Sequence, residues 1–138
     1  MSKSNNAPSA LIIEDDPDLV HIFAEALEQS GFQTTTVSDG NLALERLSNM
    51  VPDIVVLDLH LPGVSGSKIL RAIRADGRLD ETRVIIATAD DRTAEDLRDE
   101  ADLILLKPIS FKQLRTLSAR FRKIKQATAL LSQPPDNP

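Results

Sequence analysis

The stretch Val55-Val-Leu-Asp-Leu-His-Leu-Pro-Gly-Val-Ser-Gly66 is the most informative part of the sequence. Its opening apolar residues predict a β-strand covered on both faces, as in a parallel sheet. The strand ends at Asp58, and Pro62, Gly63 and Gly66 indicate a loop before the next helix. Ligands of open α/β sheets bind at the carboxyl ends of the strands, so Asp58 is the first candidate functional residue.

Short apolar runs and helical patterns alternate five times along the chain. We predict strands at residues 10–13, 32–37, 53–57, 83–88 and 103–106, the second of which contains three successive threonines and suits an edge. Helices are predicted from Pro17, with Asp16 as N-cap and Gly31 at the end, and at residues 41–50, 65–75, 93–101 and 110–131. Right-handed crossovers then give an α/β, flavodoxin-like doubly wound (βα)5 fold with a five-stranded parallel sheet in order 2-1-3-4-5.

The 138 residues suffice for one domain, which we place at residues 10–131. Residues 1–9 are expected to be disordered, and residues 132–138 to form a flexible tail or a truncated linker. No apolar run reaches the roughly 18 residues that indicate a membrane span, and none near the N-terminus resembles a secretory signal. The absence of cysteine excludes disulfides and thiolate metal sites, and the net charge of −5 argues against nucleic-acid binding.

Polar side chains follow four of the predicted strands at the edge where ligands bind. They are Glu14, Asp15 and Asp16 after the first strand, Asp58 after the third, Thr88 at the end of the fourth, and Lys107 after the fifth. Two like charges about 4 Å apart repel by roughly 4 kcal/mol at an effective dielectric constant of about 20. Mg²⁺ would relieve this repulsion and suits a site with few oxygen ligands. Asp58 is of the right type to accept a phosphoryl group as an acyl phosphate, with Lys107 and Thr88 holding that group.

Four motifs together resemble the receiver domain of two-component response regulators. They are Leu11-Ile-Ile-Glu-Asp-Asp-Pro17, the stretch from Val55 to Gly66, Ile86-Ala-Thr-Ala89, and Leu105-Leu-Lys-Pro108. The resemblance covers residues 10–127 and keeps the order of the motifs. Any one of these motifs would be weak, whereas the four together are specific.

This resemblance implies that Asp58 is the phosphoacceptor, that Thr88 is the switch hydroxyl, and that Lys107 binds the phosphoryl group and precedes a cis bond to Pro108. A histidine kinase or a phosphotransfer protein would supply the phosphoryl group in the cytoplasm. The domain would catalyse only its own phosphorylation and autodephosphorylation. Phosphorylation would then change its contacts with other proteins, with neither nucleic acid nor membrane bound by this domain.

The resemblance also implies a Mg²⁺ site. Asp15 and Asp58 would bind the ion directly, Glu14 mainly through water, and His60 through its backbone carbonyl. The side chain of His60 is expected at the rim of the pocket, where it would affect the lifetime of the acyl phosphate. Asp16 is better explained as the N-cap of the first helix than as a metal ligand.

Two features depart from the family pattern. The family usually has Tyr, Phe or His at the position of Ile104, so the ring that swings inward is missing here. Thr88 and Lys107 are 19 positions apart, which is fewer than usual, so the fourth helix or its flanking loops should be short. Both departures fall on the face formed by the fourth helix, the fifth strand and the fifth helix, which commonly carries the output. We therefore expect intact chemistry and an unusual readout.

The same face has an uneven distribution of charge. Acidic residues precede the fifth strand and basic residues follow it: Glu95, Asp96, Asp99, Glu100 and Asp102, then Lys112, Arg115, Arg120, Arg122 and Lys123. These charges either form solvated helix faces or pair two copies of the chain, acid to base, in a homodimer. The long last helix leaves a similar choice, between packing on the sheet alone and also contacting a partner.

Two other functions stay open. A Mg²⁺-dependent phosphohydrolase of the haloacid-dehalogenase type would also use Asp58 as a nucleophile, but such enzymes have a second Asp where this chain has His60. A pseudo-receiver would keep the fold as an interaction module without phosphorylation. The complete acidic set, together with Thr88 and Lys107, argues against that alternative.

Overall fold

A computed structural model describes residues 7–132, with side chains described as far as residue 122. Its five strands are β1 (Ser9–Ile13), β2 (Gln33–Val37), β3 (Ile54–Leu57), β4 (Arg83–Thr88) and β5 (Leu103–Leu106). All four pairings between neighbouring strands are parallel, and the order is β2-β1-β3-β4-β5. The predicted flavodoxin-like doubly wound sheet is therefore confirmed, as is the edge position of the threonine-rich strand.

Helices α1 (Pro17–Gln29), α2 (Gly40–Asn49), α3 (Gly66–Ala75), α4 (Asp91–Asp96) and α5 (Phe111–Ser132) alternate with the strands. The Asp16 side chain accepts hydrogen bonds from the amides of Asp18 and Leu19, so its interpretation as an N-cap is confirmed. Gly31 follows the end of α1 with φ of 96°, a left-handed conformation that glycine adopts without strain. A short 3-10 turn at Gly77–Leu79 was not predicted.

Alternate strand residues enter two separate cores, one on each face of the sheet. On one face Leu11, Ile13, Val55 and Leu57 pack with residues of α2, α3 and α4, whereas Ala10, Ile12, Ile54 and Val56 pack with residues of α1 and α5 on the other. This two-sided burial explains why β1, β3 and β4 have apolar runs rather than alternating patterns.

The fourth helix is present, but its predicted bounds of residues 93–101 were wrong. The helix begins two residues earlier, at Asp91, and ends at Asp96, after which the amides of Arg98 and Glu100 bond to carbonyls three residues back. The guanidinium of Arg74 in α3 holds this segment, because it donates to the Glu100 carbonyl (2.7 Å) and to the Asp102 carboxylate (2.9 Å). A contact from another helix thus fixes the segment between α4 and β5.

The first strand and the last helix lie close to the ends of the predicted domain. Ser9 belongs to β1, and α5 ends at Ser132. The placement of one domain at residues 10–131 stays a prediction. Residues 1–6 and 133–138 lie outside the described part, as do the side chains of α5 beyond residue 122. In the part of α5 before that, Leu114 is buried, and Leu117 and Phe121 pack against the same core as α1.

The loop after β3 is held by close backbone contacts at two glycines. A Cβ atom at Gly66 would collide with the Asp58 carbonyl oxygen, and one at Gly40 would collide with the Val64 carbonyl oxygen. The amide of Gly40 also donates to the Pro62 carbonyl (3.0 Å), which joins the start of α2 to this loop. Both glycines therefore fix the path of the chain that follows Asp58.

Candidate functional site

Three carboxylates converge at the carboxyl edge of the sheet. Ile13 at the end of β1 pairs with Leu57 at the end of β3, so the residues that follow these strands lie side by side. Glu14, Asp15 and Asp58 each offer a carboxylate oxygen, and these oxygens lie within 4.8 Å of one another. The structure thus brings together residues that are more than forty positions apart in the sequence.

Glu14 is the most buried member of the cluster, with 1% of its surface exposed. Its Oε2 accepts hydrogen bonds from the amides of Asp15 (3.1 Å) and Asp16 (3.2 Å). Burial raises the pKa of Glu14, and the nearby charge of Asp58 adds to this effect, although the hydrogen bond from Lys107 opposes it. The site therefore holds a carboxylate whose ionisation the protein alone does not favour.

Lys107 is the cation that faces these carboxylates. It follows β5, and its Nζ lies 2.8 Å from Glu14 Oε1 and 3.5 Å from Asp58 Oδ2. Burial would lower the Lys107 pKa, but the hydrogen bond to Glu14 and the charges of Glu14 and Asp58 together raise it. The ammonium therefore stays charged at neutral pH and lies against the candidate phosphoacceptor. The peptide bond from Lys107 to Pro108 is cis, as the resemblance implied.

Thr88 is fully buried at the end of β4. The amide of Lys107 donates to its carbonyl (2.8 Å), so Thr88 and Lys107 occupy neighbouring positions at the edge of the sheet. The Thr88 hydroxyl oxygen accepts a hydrogen bond from the amide of Asp90 (3.1 Å). Because that oxygen acts as the acceptor in this bond, the hydroxyl hydrogen is available to another acceptor.

His60 lies at the rim of the pocket. Its amide donates to Asp58 Oδ1 (3.2 Å), whereas 68% of its side chain is exposed. The ring nitrogen Nε2 lies 3.0 Å from Asp90 Oδ2, so the ring reaches across the mouth of the pocket to the loop after β4. The backbone carbonyl of His60 as a metal ligand stays a prediction.

Asp90 belongs to the site, and the sequence analysis did not identify it. Its carboxylate accepts from the Thr93 amide (3.0 Å) and the Thr93 hydroxyl (2.7 Å), and so caps α4. These two hydrogen bonds, with a smaller contribution from His60, lower the pKa of Asp90. An Asp before a helical pattern is a common N-cap, so the sequence did contain a signal for Asp90. It was missed because the predicted helix began at residue 93, too late for Asp90 to be its cap.

The donors around the cluster fit a hard divalent cation. Glu14, Asp15 and Asp58 present only oxygen atoms, and their negative charges exceed the single positive charge of Lys107. Mg²⁺ prefers such oxygen ligands and binds through few carboxylates. The side chains present thus fit the predicted ion.

The face formed by α4, β5 and α5 carries a cleft of about 270 Å³ lined by Ala94, Ile104 and Leu106, among others. Ile104 packs against the core shared with α2, α3 and α4, and Leu106 is 51% exposed. Several charges of this face are already paired within the chain: Glu95 with Arg98, and Asp102 with Arg74 and Arg83. Fewer charges of this face are therefore left to pair with a partner than the sequence implies.

Among the helices of the described residues, none has both the length and the apolar composition that crossing a bilayer requires.

Comparisons with known proteins agree with the fold. The family model described as "Response regulator receiver domain" matches residues 10–119. The DNA-binding response regulator MtrA of Mycolicibacterium smegmatis is 34% identical over 117 residues, which cover 82% of this chain and 50% of MtrA. The chain thus spans about half the length of the curated relatives it matches.

Two solved structures are similar throughout. A signal receiver domain from Vibrio parahaemolyticus has a TM-score of 0.81 and 28% identity, over 93% of this chain and 99% of that one. The BeF3-activated receiver domain of DrrB from Thermotoga maritima has a TM-score of 0.76 and 28% identity, over 85% and 98% of the two chains. This chain therefore belongs to the receiver domain family of two-component response regulators.

Proposed function

We propose that Asp58 accepts a phosphoryl group, in a Mg²⁺-dependent transfer, from a histidine kinase or a phosphotransfer protein in the cytoplasm. The observation that carries this proposal is the position of Lys107, whose ammonium contacts both Glu14 and Asp58 inside a cluster of carboxylates. A lysine in this place neutralises part of the charge on the cluster and supplies donors to an incoming phosphoryl group.

The side chains have separate roles in the transfer. A carboxylate oxygen of Asp58 attacks phosphorus, and the bond from phosphorus to the donor's imidazole nitrogen breaks, so an acyl phosphate replaces a phosphohistidine. Lys107, whose ammonium contacts Glu14, stabilises the negative charge on the phosphoryl oxygens. The Thr88 hydroxyl, held by the Asp90 amide, donates to one of these oxygens.

Glu14, Asp15 and Asp58, with the carbonyl of His60, would hold the Mg²⁺ ion. When bound, the ion supplies positive charge that offsets the negative charge of the cluster and of the phosphoryl group. The chain itself catalyses only this transfer and the later hydrolysis of its own acyl phosphate.

Acetyl phosphate tests the proposal without a kinase. We expect that incubation with acetyl phosphate and Mg²⁺ adds about 80 Da to the intact protein, the mass of one phosphoryl group. The Asp58→Asn variant should gain no mass, because the amide is not a nucleophile, and Asp80→Asn, at an exposed site outside the cluster, should behave as wild type.

The same experiment separates the alternatives. Absence of an adduct in the wild-type chain, with Mg²⁺ present and with it omitted, would contradict phosphorylation and favour a pseudo-receiver. Sustained turnover of a small phosphoester would instead favour the phosphohydrolase. In this chain, however, His60 stands where such enzymes have their second Asp, and its ring points toward Asp90.

A second copy of the chain is the further partner we propose, bound through the face of α4, β5 and α5. Asp96 and Asp99 are exposed on its acidic side, and Lys112 and Arg120 on its basic side, so two copies related by a twofold axis would bring opposite charges together. We expect beryllofluoride with Mg²⁺ to favour a dimer in analytical ultracentrifugation, more weakly at high salt. A monomer in both states at high protein concentration would contradict this.

A further inference from the structure

Two loops meet across the mouth of the pocket through one contact between side chains. His60, in the loop after β3, places its Nε2 3.0 Å from Oδ2 of Asp90, in the loop after β4. The two residues are thirty positions apart: His60 lies within the stretch from Val55 to Gly66, and Asp90 lies outside the four motifs that identify the family. Nothing in the proposed chemistry uses the imidazole, so the contact needs an explanation of its own.

Each of the two residues also donates a hydrogen bond, through its backbone amide, to a group that phosphorylation would change. On one side the His60 amide donates to Asp58 Oδ1 (3.2 Å), an oxygen of the proposed phosphoacceptor. On the other side the Asp90 amide donates to the Thr88 hydroxyl oxygen (3.1 Å). Asp58, His60, Asp90 and Thr88 are therefore linked by a chain of three contacts beside the space where a phosphoryl group would lie.

Asp90 connects this chain of contacts to α4. Its carboxylate accepts from the amide and the hydroxyl of Thr93, and these bonds fix the first turn of a helix that spans only six residues. A shift of Thr88 toward a phosphoryl oxygen would draw the Asp90 amide with it or break their bond. Because His60 holds the carboxylate of the same residue, both loops act on one N-cap.

The position of Ile104 makes such a route necessary. Ile104 in β5 packs against the core, and an aliphatic side chain has no ring that could turn inward behind Thr88. A signal that reaches the face of α4, β5 and α5 must therefore pass through other contacts. Among the described residues, the bond from Asp90 to His60 joins the phosphoacceptor loop to α4 directly.

We propose, resting on the phosphorylation of Asp58, that His60 and Asp90 are positioning residues that couple the state of the Asp58 pocket to the first turn of α4. The contact itself is exposed and contributes little to stability, so its loss should leave the fold intact. Its role lies in the response to the phosphoryl group, which is what an experiment has to measure.

Amide resonances of the full chain, recorded without ligand and with saturating Mg²⁺ and beryllofluoride, test this coupling. In the wild type we expect ligand-induced shifts both around Asp58 and in α4. In His60→Ala the shifts around Asp58 should persist, whereas those of α4 should fall by about threefold or more, as expected for a side chain that carries coupling between two sites. A purely structural role would change α4 in both states and leave the ligand-induced difference unaltered.

Two further variants make the test specific. Asp90→Ser keeps an oxygen that caps α4, but its side chain is too short to reach His60, so the ligand-induced shifts of α4 should fall as in His60→Ala. In the double variant of His60→Ala and Asp90→Ser these shifts should fall no further than in either single variant. His21→Ala removes the other histidine, which is exposed on α1, and should behave as wild type. Undiminished α4 shifts in His60→Ala, with a normal response around Asp58, would overturn the coupling alone. No response around Asp58 in the wild type would overturn the proposed function and the coupling together.

Discussion

Replacement of Lys107 by methionine is expected to slow the phosphorylation of Asp58 by acetyl phosphate by about 100- to 1,000-fold, the usual effect of removing one preorganised donor to a developing charge. Methionine matches lysine in length but supplies neither charge nor donors. The ammonium that lies 3.5 Å from Asp58 Oδ2 would be lost, and the phosphoryl oxygens would face Glu14 without a cation between them. The rate follows from the growth of the mass adduct with time.

The control for this variant is Lys68→Met, because Lys68 is exposed on α3. Circular dichroism should accompany the rates, since Glu14 Oε1 loses the hydrogen bond from Lys107 in Lys107→Met. Lys107→Arg keeps the charge on a bulkier group and should give an intermediate rate. Phosphorylation of folded Lys107→Met at the wild-type rate would show that Lys107 serves only as the counter-ion of Glu14.

The sheet could be predicted from the sequence because its inner strands β1, β3 and β4 are buried on both faces. Residues such as Ile12 and Ile13 enter different cores, so both must be apolar, and the resulting runs are easy to recognise. The positions of Glu14, Asp58 and Lys107 followed from the same fact, since in a parallel sheet every strand ends at the same edge. Local sequence therefore carried the architecture and the acidic cluster.

The parts that could not be predicted depend on contacts between distant residues. The segment after α4 is held by Arg74, which donates to the Glu100 carbonyl, and nothing in residues 91–101 indicates that contact. The rotation of the His60 ring toward Asp90 likewise depends on how two loops meet after folding. The family resemblance supplied roles for the residues of the pocket, but it gave no partner for the side chain of Arg74 or of His60.

Asp58→Asn is expected to stabilise the metal-free protein by about 1–2 kcal/mol, although it abolishes phosphorylation. Asp58 lies within 4.8 Å of two other carboxylates and 3.5 Å from one ammonium. The substitution removes two repulsions and one attraction, and the balance favours the neutral amide. Thermal unfolding in EDTA should show a midpoint several degrees higher than that of the wild type, with Asp80→Asn unchanged.

The pH dependence of stability should change in the same variant. Because burial and the charge of Asp58 raise the pKa of Glu14, the folded protein binds more protons than the unfolded chain between the two pKa values of this group. The stability of the metal-free wild type therefore falls as the pH rises from the ordinary pKa of glutamate to the raised one. Asp58→Asn removes one of the two causes, so its stability should fall less over that range.

Mg²⁺ should reverse the order of stability of the wild type and Asp58→Asn. A ligand that binds only the folded state stabilises it by about 2.7 kcal/mol at a concentration one hundred times its Kd. The wild type should gain this stability, whereas Asp58→Asn, which lacks one of three carboxylates, should gain little. The wild type is then the more stable protein in Mg²⁺ and the less stable one in EDTA. A variant that is less stable than the wild type in EDTA would contradict the electrostatic account, because the cluster would then hold Asp58 favourably without an ion.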